Sequence, residues 1–284
     1  MISSEARLFR VSSRRWKPKT SRSVRRRAAS IAEPAPDNNG KDMGSFYKNA
    51  WDEDLITAAI RGDINALHDA LLSGADIDAV CSEATHRGKT ALMIAAEHDF
   101  DTAVSVLLTG KPSVNAQDRF RNTALHHAAP NARGRVIQSL LDAGADPNMR
   151  NATGYTALMR AALDGKAENC RILLEAGADL TAKTNGNKEL PGKSCIECAA
   201  EMERLEVLDL FFKEIDAKKL HKQMVPHVER ALEVAQKQQK NGIAARFIYG
   251  WMENYQKTVL RDEKKQQMLQ RQNNMRRYIN RRAP

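Results

Sequence analysis

The sequence predicts an all-α solenoid of helix–turn–helix units that are joined by β-hairpins or loops and followed by long carboxy-terminal helices. A seven-residue pattern recurs every 33 residues, as TALMIAA at 90–96, TALHHAA at 123–129 and TALMRAA at 156–162. An apolar pair follows each copy, at Leu107-Leu108, Leu140-Leu141 and Leu173-Leu174. A turn signal also recurs, as GADID at 74–78, GADPN at 144–148 and GADLT at 177–181. Short apolar stripes at a fixed spacing cannot be buried within one unit, so neighbouring units are expected to stack.

A 33-residue unit with T-x-L-x-x-A-A and L-L-x-x-G-A-D resembles the ankyrin repeat. Three units match clearly, and residues 51–78 supply an earlier unit that lacks the Thr-x-Leu start but keeps AAIRGD and LLSGAD. The sequence SCIECAA at 194–200 fits as a divergent fifth unit. The resemblance covers about residues 50–213. It implies a protein-binding solenoid with no catalytic residues, no metal and no cofactor.

The four cysteines leave two interpretations open. Cys195 and Cys198 have the CxxC spacing of a zinc half-site or a redox pair. The register instead assigns both to the first turn of a packed helix, with no second CxxC in the chain. Cys170 falls at an apolar position of ENCRILL, which favours a buried thiol. The structural interpretation is the one we expect for Cys170, Cys195 and Cys198.

Several positions depart from the repeat pattern. Gly62 and Gly165 stand between the two helices of their units, where the second unit has Asp99 and the third has Asn131 and Ala132. Asp and Asn tolerate the left-handed conformation, so a turn is still expected at these positions. Arg121 replaces the usual hairpin glycine, Pro130 is expected to end its helix early, and longer loops are predicted at 79–86 and 184–193.

The resemblance also implies which residues face a partner. On the hairpin tips these are Lys89, Arg119, Phe120, Asn122, Ala152, Thr153 and Tyr155, and on the first helices they are Glu97, His98, Asn131, Leu163 and Asp164. Phe120 and Tyr155 are the expected aromatic anchors, unless their rings lie flat on neighbouring hairpins. His126 matches a family histidine that hydrogen-bonds backbone within its repeat, and His127 is expected at the surface. We find no GxxxxGK[ST], GxGxxG, HExxH or GxSxG motif, which favours a binding protein over an enzyme.

The positive charge is concentrated at the two ends of the chain. Residues 1–40 hold ten Lys/Arg against three Asp/Glu, and residues 251–284 hold nine against three. The basic, Arg/Ser-rich segment 1–40 predicts an organellar targeting peptide with a linker, mitochondrial before plastid. Arg25–Arg27 could instead form a nuclear localisation signal or an RNA-binding arm, and a solvated tail is the third interpretation. No apolar run is long enough to span a membrane.

The remaining domains are a repeat domain at 48–213 and a helical extension at 214–284. Pro226 is predicted to begin a helix that ends near Asn241-Gly242. Phe247, Trp251 and Tyr255 recur at helical spacing and are expected to cap the last repeat. Arg276, Arg277, Arg281 and Arg282 predict a contact with RNA, with an acidic protein surface or with anionic lipid. The sequence therefore favours a mitochondrial protein-binding adaptor, with a structural subunit of an organellar ribonucleoprotein as the alternative.

Overall fold

The computed structural model describes residues 43–258, except 82–85, 87, 132–133, 187–191 and 238–241, together with Arg261 and Gln270. Segment 1–40 and the four arginines Arg276, Arg277, Arg281 and Arg282 therefore lie outside the described residues. Within the described part every regular element is a helix, and two isolated β-bridges close the loops before the second and fifth units.

The described part contains five consecutive helix pairs, followed by two further helices. The helices are α1 Met43–Arg61, α2 Ile64–Ser73, α3 Ala91–Glu97, α4 Asp101–Thr109, α5 Ala124–Ala128, α6 Arg135–Asp142, α7 Ala157–Leu163, α8 Ala167–Glu175, α9 Cys195–Glu201, α10 Leu205–Ala217, α11 His221–Lys237 and α12 at residues 243–258. Helices α3, α5, α7 and α9 are the first helices of units two to five. None of the described helices is both long and apolar enough to cross a membrane.

The helices stack in two rows, as the repeated pattern predicts. The first helices α3, α5, α7 and α9 pack in one row, and the second helices α2, α4, α6, α8 and α10 pack in the other. The paired alanines of every first helix are buried, which lets adjacent backbones approach closely. Leu107, Leu140 and Leu173 are fully buried between second helices. These contacts between neighbours supply most of the apolar burial that stabilises a repeat array.

The left-handed turn expected at Asp99 is confirmed, but Asn131 of the third unit is not among the described residues with positive φ. Asp99 has φ 57°, close to the 66° of Gly62 and the 72° of Gly165. Arg121 has φ 61°, where the hairpins of units two and four have glycine. In the loop that follows α6, Asp146 Oδ1 accepts the N–H of Asn148 at 2.8 Å, as expected for a GAD turn. Helix α5 ends at Ala128, before Pro130, so the early end of this helix is also confirmed.

The prediction that Pro226 begins a helix was wrong. Helix α11 begins at His221 and ends at Lys237, with Pro226 inside it. The carbonyl of Leu220 accepts the N–H groups of Gln223 and Met224, so the helix is established before the proline. Proline close to a helix start removes one backbone hydrogen bond, and burial of Met224 and Val228 on either side offsets that loss.

The last two helices take the place that a sixth repeat would occupy. Helix α11 packs against α9, in line with the row of first helices. On α12, the rings of Phe247 and Trp251 stack on Phe212 of α10 at centroid distances of 5.9 and 4.6 Å. The expected capping role of the aromatic residues agrees with this packing.

Candidate protein-binding face

The third and fourth hairpins are each shaped by one polar side chain at the beginning of the hairpin. Asp118 Oδ1 accepts the backbone N–H groups of Phe120 and Asn122, both at 2.8 Å. One repeat later, Asn151 Oδ1 accepts those of Thr153 and Tyr155 at 3.0 and 2.9 Å. These two side chains form tight turns that hold the intervening residues at the tips.

Neighbouring hairpins are also joined to each other. The N–H of Ala152 donates to the carbonyl of Phe120 at 2.8 Å, and the N–H of Asn185 donates to that of Thr153 at 2.9 Å. Asn151 Nδ2 donates to Asn122 Oδ1 at 2.9 Å. Because of this bond Asn122 is only 9 % exposed. The prediction that Asn122 is available at the tip was wrong, and its role is to connect the hairpins.

The two predicted aromatic anchors differ in exposure. Phe120 is 48 % exposed on its tip, beside the exposed Arg119. Tyr155 is half-buried and packs against the core. Burial raises the pKa of the Tyr155 hydroxyl, and Cys198 and Glu201 of the fifth unit raise it further. The Tyr155 ring therefore faces the next repeat, which leaves Phe120 as the more accessible of the two rings.

Lysine–glutamate pairs mark both ends of this face. Lys89 Nζ lies 2.6 Å from Glu97 Oε2, and Lys193 Nζ lies 2.7 Å from Glu201 Oε2 at the same positions of the fifth unit. Burial alone would raise the pKa of Glu97, but the hydrogen bond and charge of Lys89, together with the nearby His127 and His98, outweigh it and the pKa is lowered. Lys89 and Glu97 therefore neutralise each other.

The remaining predicted contact residues lie between these two pairs or beside them. Thr153 and Asp164 are exposed, and Leu163 is half-buried at the end of α7. His98 is exposed and stacks on Phe100 with ring centroids 5.5 Å apart. Asn131 is partly buried because its Nδ2 donates to the carbonyl of Ala96 at 2.6 Å. The first-helix positions therefore offer a mixture of charged and apolar groups.

A buried carboxylate that sequence reasoning missed lies beneath the third hairpin. Asp118 Oδ2 lies 3.0 Å from His127 Nε2, and Glu97 Oε1 lies 4.0 Å from the other nitrogen of that ring. Burial raises the pKa of Asp118, but the hydrogen bonds from His127 and Asn122 outweigh this effect and lower the pKa to about 2. The signal in the sequence was an aspartate nine residues before a histidine, which no single repeat makes conspicuous.

His126 connects two repeats. Its Nδ1 accepts the backbone N–H of Thr123 at 3.2 Å, so Nε2 carries the proton and donates to the carbonyl of Tyr155 at 2.9 Å. The first bond confirms the hydrogen bond to backbone within the repeat, and the second extends it to the next unit. Burial lowers the pKa of His126, which keeps the ring neutral in this arrangement.

All four cysteines are buried thiols that form no disulfide. Burial raises the pKa of Cys170 and of Cys198 to about 12, and it raises that of Cys195 as well. The Cys195 thiol donates to the carbonyl of Leu180 at 3.3 Å. Within the described part of the chain no three His, Cys, Asp or Glu side chains are grouped as metal ligands would be. Because thiolates are the reactive and metal-binding form, these environments favour the structural interpretation.

Comparison with known families agrees with the geometry. A family model described as ankyrin repeats (3 copies) matches residues 55–151 and also 132–222. These residues include the end of α1, helices α2 to α10 and the hairpins between the units. The chain therefore belongs to the ankyrin-repeat family, whose members serve as protein–protein interaction modules.

Proposed function

We propose that the protein is a non-enzymatic adaptor that binds a protein partner on its central hairpin face. This face consists of Arg119, Phe120, Thr153, Tyr155, Leu163 and Asp164. The exposure of Phe120 is the observation that carries the proposal. A phenyl ring that is 48 % exposed on a hairpin costs solvation free energy, which burial by a partner recovers.

The hairpins suit this function because their backbones are held in place before any partner arrives. The bonds from Ala152 to Phe120 and from Asn185 to Thr153 join the third, fourth and fifth units through their main chains. A preorganised surface loses less conformational entropy on binding, so more of the contact energy appears as affinity.

The first experiment is a crosslinking pull-down from purified mitochondria with the full chain and with Phe120→Ala. The substitution is expected to weaken capture of the specific partner about tenfold or more. Leu72→Ala is the matched control, because Leu72 is another exposed apolar residue, on α2 and away from the hairpins. Equal capture by Phe120→Ala and by the control would refute the proposed face, provided that their melting temperatures agree.

Mitochondrial location is part of the same proposal and is supported by the composition of residues 1–40, with ten basic and three acidic residues. Fusion of this segment to a fluorescent protein is expected to drive import into isolated mitochondria, and dissipating the membrane potential should abolish that import. A fusion that remains outside energised mitochondria would argue against this location.

The ribonucleoprotein alternative makes a different prediction. RNA binding through the basic end should fall steeply between low and moderate salt and should vanish when residues 260–284 are removed. Protein capture through Phe120 should survive the same truncation. RNA affinity that is lost with the truncation, together with capture that does not depend on Phe120, would favour the alternative.

A further inference from the structure

The central hairpin face has an arginine without the acidic partner that the repeat pattern would supply. Arg160 lies on α7 and corresponds to His127 on α5, one repeat earlier. His127 is paired with Asp118, nine residues before it. Nine residues before Arg160 stands Asn151, which is neutral. The fourth unit therefore keeps the basic side chain and lacks the carboxylate.

The side chain of Asn151 is also fully engaged. Its oxygen accepts the N–H groups of Thr153 and Tyr155, and its amide donates to Asn122. The Lys–Glu pairs of the second and fifth units have no counterpart here either, because Tyr155 and Leu163 occupy those two positions in the fourth unit. The fourth unit therefore lacks both carboxylates that other units have at these positions, the aspartate at the hairpin and the glutamate of the Lys–Glu pair.

Arg160 is partly buried, and its Nε is shielded from solvent without a hydrogen-bond acceptor in the structure. Asp164 follows it by one helical turn but is exposed, and within the described residues no ion pair joins the two side chains. A buried guanidinium donor without an acceptor is costly, and a bidentate carboxylate satisfies it best. The side chain as a whole is only partly buried, so an acid of a partner can reach it from outside the repeat, whereas the repeat itself supplies none.

Other arginines extend the positive charge toward the tips. Arg119 and Arg121 are exposed on the third hairpin, and Arg150 begins the fourth. Among the described residues, Arg150 donates to neutral oxygens, those of Gly154, Lys183 and Asn185. By contrast Arg171, on the second helix α8, is paired with both Glu168 and Glu175. Between described side chains, no ion pair joins Arg119, Arg121, Arg150 or Arg160 to an acid, whereas Arg171 has two.

We infer that the partner segment bound by this face is acidic and apolar, with an aspartate or glutamate that binds Arg160 and apolar residues that contact Phe120 and Leu163. The inference rests on the proposed function and specifies the chemistry of its partner. A single acidic side chain can reach Arg160 and avoid the exposed Asp164, whereas a continuous phosphate backbone would also lie against that carboxylate. An acidic protein segment therefore fits better than a nucleic acid.

The test is a display selection of random short peptides on the immobilised full chain, followed by affinity measurements on the selected peptides. The selected peptides are expected to be enriched in Asp or Glu next to Leu, Ile or Phe. Arg160→Gln should weaken their binding about 10- to 100-fold, the range for a lost charge-assisted hydrogen bond. Arg160→Lys should recover part of this loss, since an ammonium keeps the charge without the planar fork.

Arg171→Gln is the matched control, because it removes the same group from the second-helix row and should leave peptide affinity unchanged. Arg119→Gln provides a second test on an exposed side chain whose removal does not threaten folding, and it should weaken binding moderately. The inference fails if no peptide is selected, if the selected peptides show no acidic enrichment, or if the Arg160 and Arg171 variants behave alike.

These outcomes also separate the inference from the proposed function. If Phe120→Ala abolishes binding while the acids of the peptide can be replaced by amides without effect, the face is correct and the acidic partner is wrong. If neither Phe120→Ala nor Arg160→Gln changes binding, both fail. If a uridine oligonucleotide binds the full chain and Arg160→Gln abolishes that binding, the partner is nucleic acid and the inference is overturned.

Discussion

The first helices of the third and fifth units use the same position in two different ways. His126 and Glu197 each lie three residues after the N-cap, in capping boxes with Thr123 and Ser194. Both are almost completely buried. The outer atom of His126 donates to the backbone of Tyr155 in the next repeat. The outer oxygen of Glu197 instead faces Arg230 Nε of α11 at 3.7 Å.

This difference distinguishes two kinds of contact. We call the contact between two neighbouring repeats a repeat boundary, and the contact between the last repeat and the helices that follow it the terminal boundary. A backbone carbonyl is present in every repeat, so a contact such as that of His126 can recur without depending on the neighbour's sequence. Helix α11 begins a segment outside the repeats, and its contact with α9 depends on particular side chains, among them Arg230 and the buried Met224. Met93 and Met159 occupy the same position in units two and four, so the capping acceptor is not obligatory.

The largest effect is expected from a substitution that disrupts the terminal boundary. Phe212 is buried between Phe247 and Trp251, and Phe212→Ala should lower the free energy of unfolding by about 3–5 kcal/mol because it opens a cavity in the stack. Hydrogen exchange should accelerate in residues 243–258 more than in α3 or α5. Tyr249→Ala, at an exposed position of α12, should change stability by less than about 0.5 kcal/mol. Uniform loss of protection along the chain would show that the cap and the repeats unfold as one unit.

The second prediction compares the two boundaries directly by placing Met, the residue of units two and four, at both positions. His126→Met should cost about 1–3 kcal/mol, because the buried Tyr155 carbonyl and Thr123 N–H each lose a partner. Glu197→Met should cost less, about 1 kcal/mol, because the removed carboxylate is itself buried and Arg230 stays partly solvated. Urea unfolding curves measure the free energy of unfolding of both variants. A larger loss for Glu197→Met would mean that the ion pair holds α11 in place.

Acid should weaken both boundaries through buried histidines. Burial lowers the pKa of His126, and it also lowers that of His227, whose ring lies on α11 near Lys183, Glu197, Arg230 and Asp179. As the pH falls, such a histidine binds a proton in the unfolded state at a higher pH than it does in the folded state. Its contribution to stability is therefore present above the ordinary pKa of 6.5 and is lost as pH falls below that value.

The measurement is the free energy of unfolding at pH 7 and at pH 5. His126→Met should reduce the loss between these two values, and His227→Gln should reduce it separately, so the double variant should show the weakest dependence. Hydrogen exchange at pH 5 then locates the effect, near the third hairpin for His126 and in α11 for His227. An unchanged slope in the double variant would assign the acid sensitivity to other groups.

The sequence was sufficient for what repeats every 33 residues. The helix pairs, the early end of α5 and the left-handed Asp99 and Arg121 all follow from the register, because each depends on residues close in the chain. The exposure of the residues at the hairpin tips does not follow from the register. The bond that buries Asn122 comes from Asn151, 29 residues later. No local pattern could show which tip residues the neighbouring hairpin would cover.

The same limit explains two other differences. The beginning of α11 depends on burial of Met224 against the last repeat, which a local preference for proline at a helix start does not include. The carboxylate missing near Arg160 is not evident from a local pattern, since Asp118 and Asn151 form the same turn and differ in charge. Both side chains can accept the backbone N–H groups of the hairpin turn, so the repeat pattern does not reveal that only one of them is charged.

The smallest expected effect concerns that shared hairpin geometry. Arg121 has φ 61°, and the hairpins of units two and four have Gly88 and Gly154 at φ 81° and 83°. Arg121→Gly should relieve about 1–2 kcal/mol of left-handed strain while the greater freedom of glycine in the unfolded chain costs about 0.5–1 kcal/mol. A net gain of about 0.5 kcal/mol in the free energy of unfolding follows. Arg119→Gly, at the exposed neighbour with negative φ, should lower stability and serves as the control. Arg121→Gly could instead be no more stable than the wild type and bind acidic peptides more weakly. That result would mean that Arg121 keeps its strained conformation because its positive charge contributes to binding.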